Sequence, residues 1–72
     1  MTKLMDSTGH VFAEGENIDK IMEELNYDPY GGNEWRYYYR SSDSVVYAYF
    51  TTSGEADYNG EFADETYDVI ED

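Results

Sequence analysis

Two short strand-like runs of mainly apolar residues lie near the start of the chain and predict a β-hairpin. The runs cover residues 3–6 and 10–13, and Ser7-Thr8-Gly9 lies between them. Glycine has no Cβ to clash with its own backbone, so Gly9 can adopt the positive φ that a short hairpin loop requires. We therefore expect one strand in each run.

The next segment carries apolar residues at helical spacing, at Ile18, Ile21, Met22 and Leu25. This spacing predicts one amphipathic helix over residues 18–26, with Asn17 as its N-cap. The Asp28-Pro29 step and Gly31-Gly32 predict a loop after the helix, because both disfavour continued helical backbone.

Residues 35–40 and 45–50 are rich in aromatic and β-branched side chains and flank the polar turn 41–44, so they predict a second hairpin. Closing the turn pairs Trp35 with Phe50 and Arg40 with Val45, with the intervening residues in step. One face of this hairpin is then apolar and aromatic and suits packing on the helix. The opposite face, which we call the Tyr/Arg face, holds Arg36, Tyr38, Arg40, Tyr47 and Tyr49.

The pattern weakens after residue 50. Ala56 and Tyr58 are candidates to start a fifth strand, and Asn59-Gly60 is a tight-turn dipeptide. Residues 61–72 are open to three interpretations: a strand, a helical turn or a loose acidic tail. The expected fold is a single α+β domain over residues 1–72, an antiparallel sheet of four to five strands with the helix on one face, in ββαββ order.

The net charge of the chain says more about its function than any sequence motif does. The chain has 17 acidic and 4 basic residues, a net charge of −13, against about 2 to 8 in magnitude for an ordinary small domain. Residues 41–72 hold 9 acids and no base. Spread over an expected diameter of roughly 28 Å, the net charge of −13 amounts to one charge per ~2 Å of length. Duplex DNA carries one phosphate charge per ~1.7 Å of its axis, which is a similar density. A positively charged partner is therefore expected.

Composition also excludes several classes of function. The chain has no cysteine, and no apolar run approaches the length of a membrane span. The Lys and Arg clusters that bind phosphates are absent, so we expect no direct nucleic-acid binding, no membrane binding and a cytoplasmic location. Aromatic residues make up 18% of the chain, which indicates a folded domain, since acidic disordered chains hold few of them.

The acidic side chains are candidates to imitate the phosphates of DNA, because a carboxylate can accept charge-assisted hydrogen bonds from an Arg or Lys clamp. The alternative is a solvated surface in a halophilic or merely acidic protein, although adaptation to high salt does not account for nine Tyr residues in so short a chain. The candidate partner-binding acids are Glu23, Glu24, Asp43, Glu55, Asp57, Glu61, Asp64, Glu65, Asp68, Glu71 and Asp72.

The Tyr/Arg face is a second candidate surface, with Tyr38, Tyr47 and Tyr49 as its aromatic contacts, since Tyr and Arg are enriched at binding hot spots. Under this hypothesis the protein is an acidic adaptor that binds another protein through the hairpin. The structural alternative is that arginine stems cover the tyrosine rings, or that a C-terminal segment does.

The sequence gives only weak indications of a metal site or of catalysis. Glu55-x-Asp57-x-Asn59-Gly60 copies part of an EF-hand loop but has Thr66 where the bidentate Glu belongs. His10 is the only histidine, and no motif places a nucleophile and an orienting acid around it. We expect no metal site, no cofactor and no enzymatic activity.

Small size, extreme acidity, the lack of cysteine and an aromatic-rich α+β core resemble phage-encoded DNA-mimic inhibitors. This class includes anti-CRISPR proteins, anti-restriction proteins and inhibitors of uracil-DNA glycosylase, and the resemblance is one of composition over the whole chain. It implies a stoichiometric blocker of the DNA-binding groove of a host defence nuclease. A CRISPR effector is the favoured target, because its channels and PAM-reading elements present Arg and Lys.

Overall fold

A computed structural model describes residues 1–50 and 63–71, which form a small α+β fold with a curled antiparallel sheet and one short helix. In chain order the elements of this described part are β1 Thr2–Met5, β2 Val11–Gly15, α1 Ile18–Leu25, β3 Trp35–Arg40, β4 Val45–Phe50 and β5 Glu65–Glu71. The five strands lie in the order β2-β1-β5-β4-β3. The first hairpin and the central hairpin thus occupy the two sides of the sheet.

Strand β5 joins the two hairpins, because it pairs with β1 on one side and β4 on the other. Of the three interpretations of the C-terminal segment, the strand therefore holds for Glu65–Glu71. The element order in the described residues is ββαβββ, one strand longer than the expected ββαββ. The strand proposed to start at Ala56 and Tyr58 lies outside the described residues.

The predicted register of the central hairpin is confirmed at every pair from Trp35 with Phe50 to Arg40 with Val45. On its inner face, the Trp35 and Phe50 rings meet edge to face with centroids 5.2 Å apart. Val46 is fully buried, and Tyr37 and Tyr39 pack around the core that contains it. The register is as predicted, but burial is not limited to this face, because Tyr47 and Tyr49 on the opposite face of β4 are buried as well.

The helix begins as predicted, with the Asn17 side chain accepting a hydrogen bond from the Lys20 backbone N–H. Its buried residue Ile21 forms the core with Leu4 of β1 and Val46 of β4. The helix contacts β2 and β3, which are the two edge strands. The sheet thus curls so that both of its edge strands contact the helix, and the expected placement of the helix on one face stays a prediction.

A bulge in β2 helps to bring the edges together. The register between β1 and β2 shifts after Leu4, so Phe12 is an extra residue on β2. Its ring stacks on Tyr67 of β5 with centroids 4.1 Å apart and lies 6.0 Å from the Tyr37 ring of β3. Aromatic contacts from one edge strand to the other therefore supplement the backbone ladder.

The first hairpin loop is organised by Asp6, one residue past the end of β1. Its carboxylate accepts hydrogen bonds from the Thr8 backbone, the Thr8 hydroxyl and the His10 backbone. These bonds hold the pKa of Asp6 below its usual value, the Thr8 hydroxyl contributing most. Gly9 has a φ of +89°, as the loop prediction required.

Candidate functional site

Both arginines of the Tyr/Arg face are engaged within the protein. Arg36 Nη2 donates to Asp28 Oδ2 at 3.1 Å, and Arg36 Nη1 donates to the backbone carbonyls of Asn33 and Trp35. The second oxygen of Asp28 accepts from the Gly32 and Asn33 backbone N–H groups. Asp28 therefore connects the loop between α1 and β3 to Arg36, the second residue of β3.

The second arginine joins a three-residue network at the turn of the central hairpin. Arg40 donates to Asp43 and to the Tyr47 hydroxyl, and Tyr47 donates to Asp43 at 2.7 Å. Hydrogen bonds from Arg40 first, and then Tyr47, lower the pKa of Asp43 to about 2. The carboxylate of Asp43 is thus occupied inside the network, although the sequence analysis had grouped it with the partner-binding acids.

Burial differs sharply among the three tyrosines of the Tyr/Arg face. Tyr38 is 41% exposed, whereas Tyr47 and Tyr49 are 8% and 2% exposed. The Arg40 guanidinium carbon lies 4.8 Å from the centre of the Tyr47 ring, which is the arginine-over-tyrosine arrangement that the sequence left open as an alternative. Of the three predicted aromatic contacts, Tyr38 alone presents a large exposed area.

The candidate acids fall in several places on the described surface. Glu23 and Glu24 are exposed on α1, and Asp64 and Glu65 lie at the start of β5. Asp64 Oδ2 accepts a hydrogen bond from the Phe50 backbone N–H at 2.8 Å, which fastens the start of β5 to the end of β4. The four remaining candidates are outside the described residues: Glu55, Asp57, Glu61 and Asp72.

Strand β5 does not align its acids in one row. Side chains alternate between the faces of a strand, so Glu65 and Glu71 share a face and Asp68 lies on the other. Glu65 and Glu71 are about 20 Å apart at ~3.3 Å per residue. Asp68 is paired in register with Met5 and Val45 on the same face as Tyr47. The strand therefore presents anions at both of its ends and at its middle, on two faces.

A larger set of carboxylates lacks any side-chain hydrogen bond or ion pair within residues 1–50 and 63–71. We call this set the unpaired carboxylates, and each member is exposed. Five of the set were candidates from the sequence, and the other three come from the β2 and α1 region. Its members are Glu14, Glu16, Asp19, Glu23, Glu24, Glu65, Asp68 and Glu71.

Two asparagines that the sequence analysis did not single out hold the open edge of β3. The Asn26 amide donates to the Tyr37 carbonyl and accepts from the Tyr37 N–H, both at 2.9 Å. Asn33 accepts from the Trp35 N–H and donates to the Leu25 carbonyl. The side chains thus satisfy backbone groups that an edge strand leaves open. The available signal was one Asn on each side of a loop that contains Pro and Gly-Gly.

Beside this edge lies an open cavity of about 450 Å³, which the structure lines with Asn26, Arg36, Tyr37 and Tyr38. We call it the edge cavity. Tyr37 belongs to the inner face of β3, and Arg36 and Tyr38 belong to the Tyr/Arg face, so the cavity wraps around the strand edge. It is the place where an exposed tyrosine, an internal ion pair and the end of the helix come together.

Within the described residues, the structure contains neither a metal-binding cluster nor a helix that could cross a membrane. Among residues 1–50 and 63–71, no group of His, Cys, Asp and Glu is arranged to hold a metal ion. The EF-hand-like segment at Glu55 to Gly60 lies outside those residues. His10 Nδ1 lies 3.0 Å from the Thr8 hydroxyl in the first hairpin loop. The helix in the described part is too short and too polar to cross a membrane.

Comparison of the chain with protein-family models, curated protein sequences and solved structures found no match.

Proposed function

We propose that this protein is a stoichiometric inhibitor that presents carboxylates in place of DNA phosphates and occupies the DNA-binding groove of a host defence nuclease, a CRISPR effector first among them. The observation that carries the proposal is the division of charge in the described residues. Both arginines form internal ion pairs, while eight exposed carboxylates have no partner within the described part of the chain. Anionic groups left in solvent are available to a cationic groove.

Hydrogen bonds within the protein narrow the set of acids that we propose contact the nuclease. Asp43 is held by Arg40 and Tyr47, and Asp64 is held by the Phe50 N–H. The proposed contacts among the described acids are therefore Glu23, Glu24, Glu65, Asp68 and Glu71. Glu55, Asp57, Glu61 and Asp72 remain in the proposal on the strength of the sequence.

The proposed mechanism is exclusion, with no chemical step and no cofactor. A net charge of −13 attracts a basic groove over a distance set by the Debye length, about 8 Å at physiological salt. Binding then withholds the groove from DNA, and the protein itself needs no contact with nucleic acid. The site of action under this proposal is the cytoplasm of the host cell. A restriction enzyme or a DNA glycosylase would be blocked by the same physics.

The adaptor hypothesis has less support. It depends on an open Tyr/Arg face, and Tyr47 and Tyr49 are buried while Arg36 and Arg40 are engaged internally. Truncation of Tyr47 would therefore remove a structural contact, whichever partner the protein binds. An inhibitor that uses the unpaired carboxylates does not need that face.

The test is a DNA-cleavage assay with a panel of purified CRISPR effectors and restriction nucleases, titrated with this protein. We expect stoichiometric inhibition of at least one effector, relieved when duplex DNA is added before the inhibitor. The variant E23Q/E24Q/D68N/E71Q should inhibit on the order of tenfold or more weakly, since each lost charge-assisted contact weakens binding.

The matched control keeps a carboxylate at every position, as E23D/E24D/D68E/E71D. It should retain most of the inhibition, because its charge is that of the natural chain. Equal inhibition by the neutralised variant and the natural protein would refute the proposal, as would inhibition that excess DNA cannot prevent.

A further inference from the structure

The two edge strands of the sheet differ in what occupies their outer backbone groups. On β3, the Asn26 side chain binds the outward N–H and carbonyl of Tyr37, and Asn33 binds the Trp35 N–H. In the described part of the chain, β2 pairs with β1 alone. Backbone groups that are already bound resist pairing with a further strand, and an unpaired edge accepts one. The open edge of this sheet is therefore β2.

The alternation of hydrogen bonds along an antiparallel pair identifies the outward groups of β2. At the hairpin loop the Asp6 N–H donates to the His10 carbonyl, so even-numbered residues of β1 bond toward β2. Odd-numbered residues of β1 bond toward β5, and opposite them on β2 lie Val11 and Glu14. The N–H and carbonyl groups of Val11 and Glu14 therefore point away from β1, and no hydrogen bond to them is found among residues 1–50 and 63–71.

This edge is also accessible from solvent. Val11 is 49% exposed, Phe12 is 40% exposed, and Glu14 is exposed. Helix α1 meets β2 at its last residue, where a Cβ on Gly15 would lie 2.9 Å from Ile21 Cγ1. The stretch from Val11 to Glu14 thus combines outward backbone groups with exposed side chains.

The charges along this edge favour a basic occupant. Glu14 is in register with Lys3 on the outer face, and Glu16 follows the end of β2; both acids are exposed and belong to the unpaired carboxylates. Phe12 and Ala13 lie on the inner face. A second copy of the chain would bring another net charge of −13 to this edge, which like-charge repulsion opposes. A strand with apolar residues on one face and Lys or Arg on the other matches both faces of β2.

We propose that an extended, basic segment of the partner adds to the sheet as a strand beside β2. Its backbone exchanges hydrogen bonds with Val11 and Glu14, its apolar residues lie next to Phe12 and Ala13, and its cations lie near the carboxylate of Glu14. In strand addition, main-chain hydrogen bonds give the affinity and alternate side chains give the specificity. The basic character of the segment rests on the proposed function.

The experiment is an NMR titration of the ¹⁵N-labelled protein at low salt with the acetylated and amidated peptide KVKVKVK. The matched control is KVKPKVK, which has the same charge but carries a proline where the strand must continue. We expect slower hydrogen exchange at the Val11 and Glu14 amides with the first peptide, and binding on the order of tenfold weaker with the second. Equal binding of the two peptides, or protection concentrated on Trp35–Arg40, would overturn strand addition at β2.

A pair of variants tests the same edge from the side of the protein. Val11→Pro removes an outward N–H at an edge position, where proline is tolerated, and should weaken binding of KVKVKVK about tenfold. Val11→Thr keeps the N–H and a β-branched side chain, and should bind within about twofold of the natural protein. An equal loss in both variants would contradict the proposal, because the side chain and not the backbone would then carry the binding. The peptide pair decides the question without a variant if Val11→Pro does not fold.

The two proposals fail in different ways. If the natural protein inhibits an effector and a folded Val11→Pro inhibits it equally, strand addition is wrong and the acidic mimic stands. If no effector is inhibited, and KVKVKVK still binds better than KVKPKVK and protects the Val11 and Glu14 amides, the open edge stands and the proposed function falls. A dimer of the natural protein that protects the same amides without peptide would show that a second copy fills the edge, and would contradict the inference.

Discussion

The central hairpin and strand β5 lie side by side in the sheet and use their charged residues in opposite ways. In the hairpin, Arg40 and Asp43 form an ion pair that also holds Tyr47. On β5, Glu65, Asp68 and Glu71 have no side-chain partner among residues 1–50 and 63–71. The hairpin charges are bound to one another within the fold, whereas no other described side chain binds those of β5. The second group is the one that the proposed function assigns to a basic partner.

The largest expected effect is a loss of stability on truncating a buried valine, and it should differ between the hairpin and β5. Val46→Ala removes two methyl groups from a fully buried site on β4 and should lower the free energy of unfolding by about 2–3 kcal/mol. Val69→Ala on β5 removes the same atoms from a partly buried site and should cost about 1 kcal/mol. Urea unfolding of both variants measures the difference, and equal costs would show that β5 is as much a part of the core as β4.

A smaller effect is expected when the hairpin ion pair is broken. Asp43→Asn removes the acceptor shared by Arg40 and Tyr47, so the melting temperature at pH 7 should fall. The folded-state pKa of Asp43 is about 2, below the ~3.9 of an unfolded chain. Its contribution is present above about pH 4 and is lost as pH falls toward 2.

The measurement is the melting temperature of the natural protein and of Asp43→Asn between pH 2 and pH 7. Their difference should shrink across the window from pH 4 to pH 2, because the natural Asp43 becomes neutral there. A difference that stays constant down to pH 2 would mean that Asp43 acts through packing and not through its charge.

The smallest effect should have the opposite sign. Glu65→Gln, Asp68→Asn and Glu71→Gln together remove three negative charges from a chain with a net charge of −13. Relief of self-repulsion should raise stability by a few tenths of a kcal/mol per charge, and less at high salt. Urea unfolding at low and high ionic strength checks this, and a clear loss of stability would show that the β5 acids do stabilise the fold.

The hairpin was predictable because its information is local. Two runs of strand-favouring residues and a turn of fixed length allow one register, and that register is observed from Trp35 to Phe50. The helix was predictable for the same reason, and its observed end at Leu25 is one residue short of the prediction. Sequence periodicity predicts a helix or strand when the element's own residues determine which of its faces packs on the core.

Strand β5 was not predictable because its stability comes from neighbours. Only Tyr67 and Val69 face the core, and acids dominate the rest of the segment. Backbone pairing with both β1 and β4 makes it a strand, and that pairing is distant in sequence. The curl of the sheet was missed likewise, since it depends on the Phe12 bulge and on contacts of α1 with both edges.

The candidate site was predictable only in part. The excess of acid is visible in the sequence, but which carboxylates have partners depends on the fold. Asp43 and Asp68 look alike in the sequence, yet only Asp43 meets Arg40 and Tyr47. The role of Asn26 at the edge of β3 depends on a contact eleven residues away. Pairing in three dimensions therefore decides which acids remain available.

The account is tested most directly by the salt dependence of affinity for a CRISPR effector that the protein inhibits. Between 50 and 300 mM NaCl we expect the Kd of the natural protein to rise on the order of tenfold or more, and that of E23Q/E24Q/D68N/E71Q to rise distinctly less. Parallel slopes for the two proteins, or an affinity that salt does not change, would contradict recognition through the unpaired carboxylates.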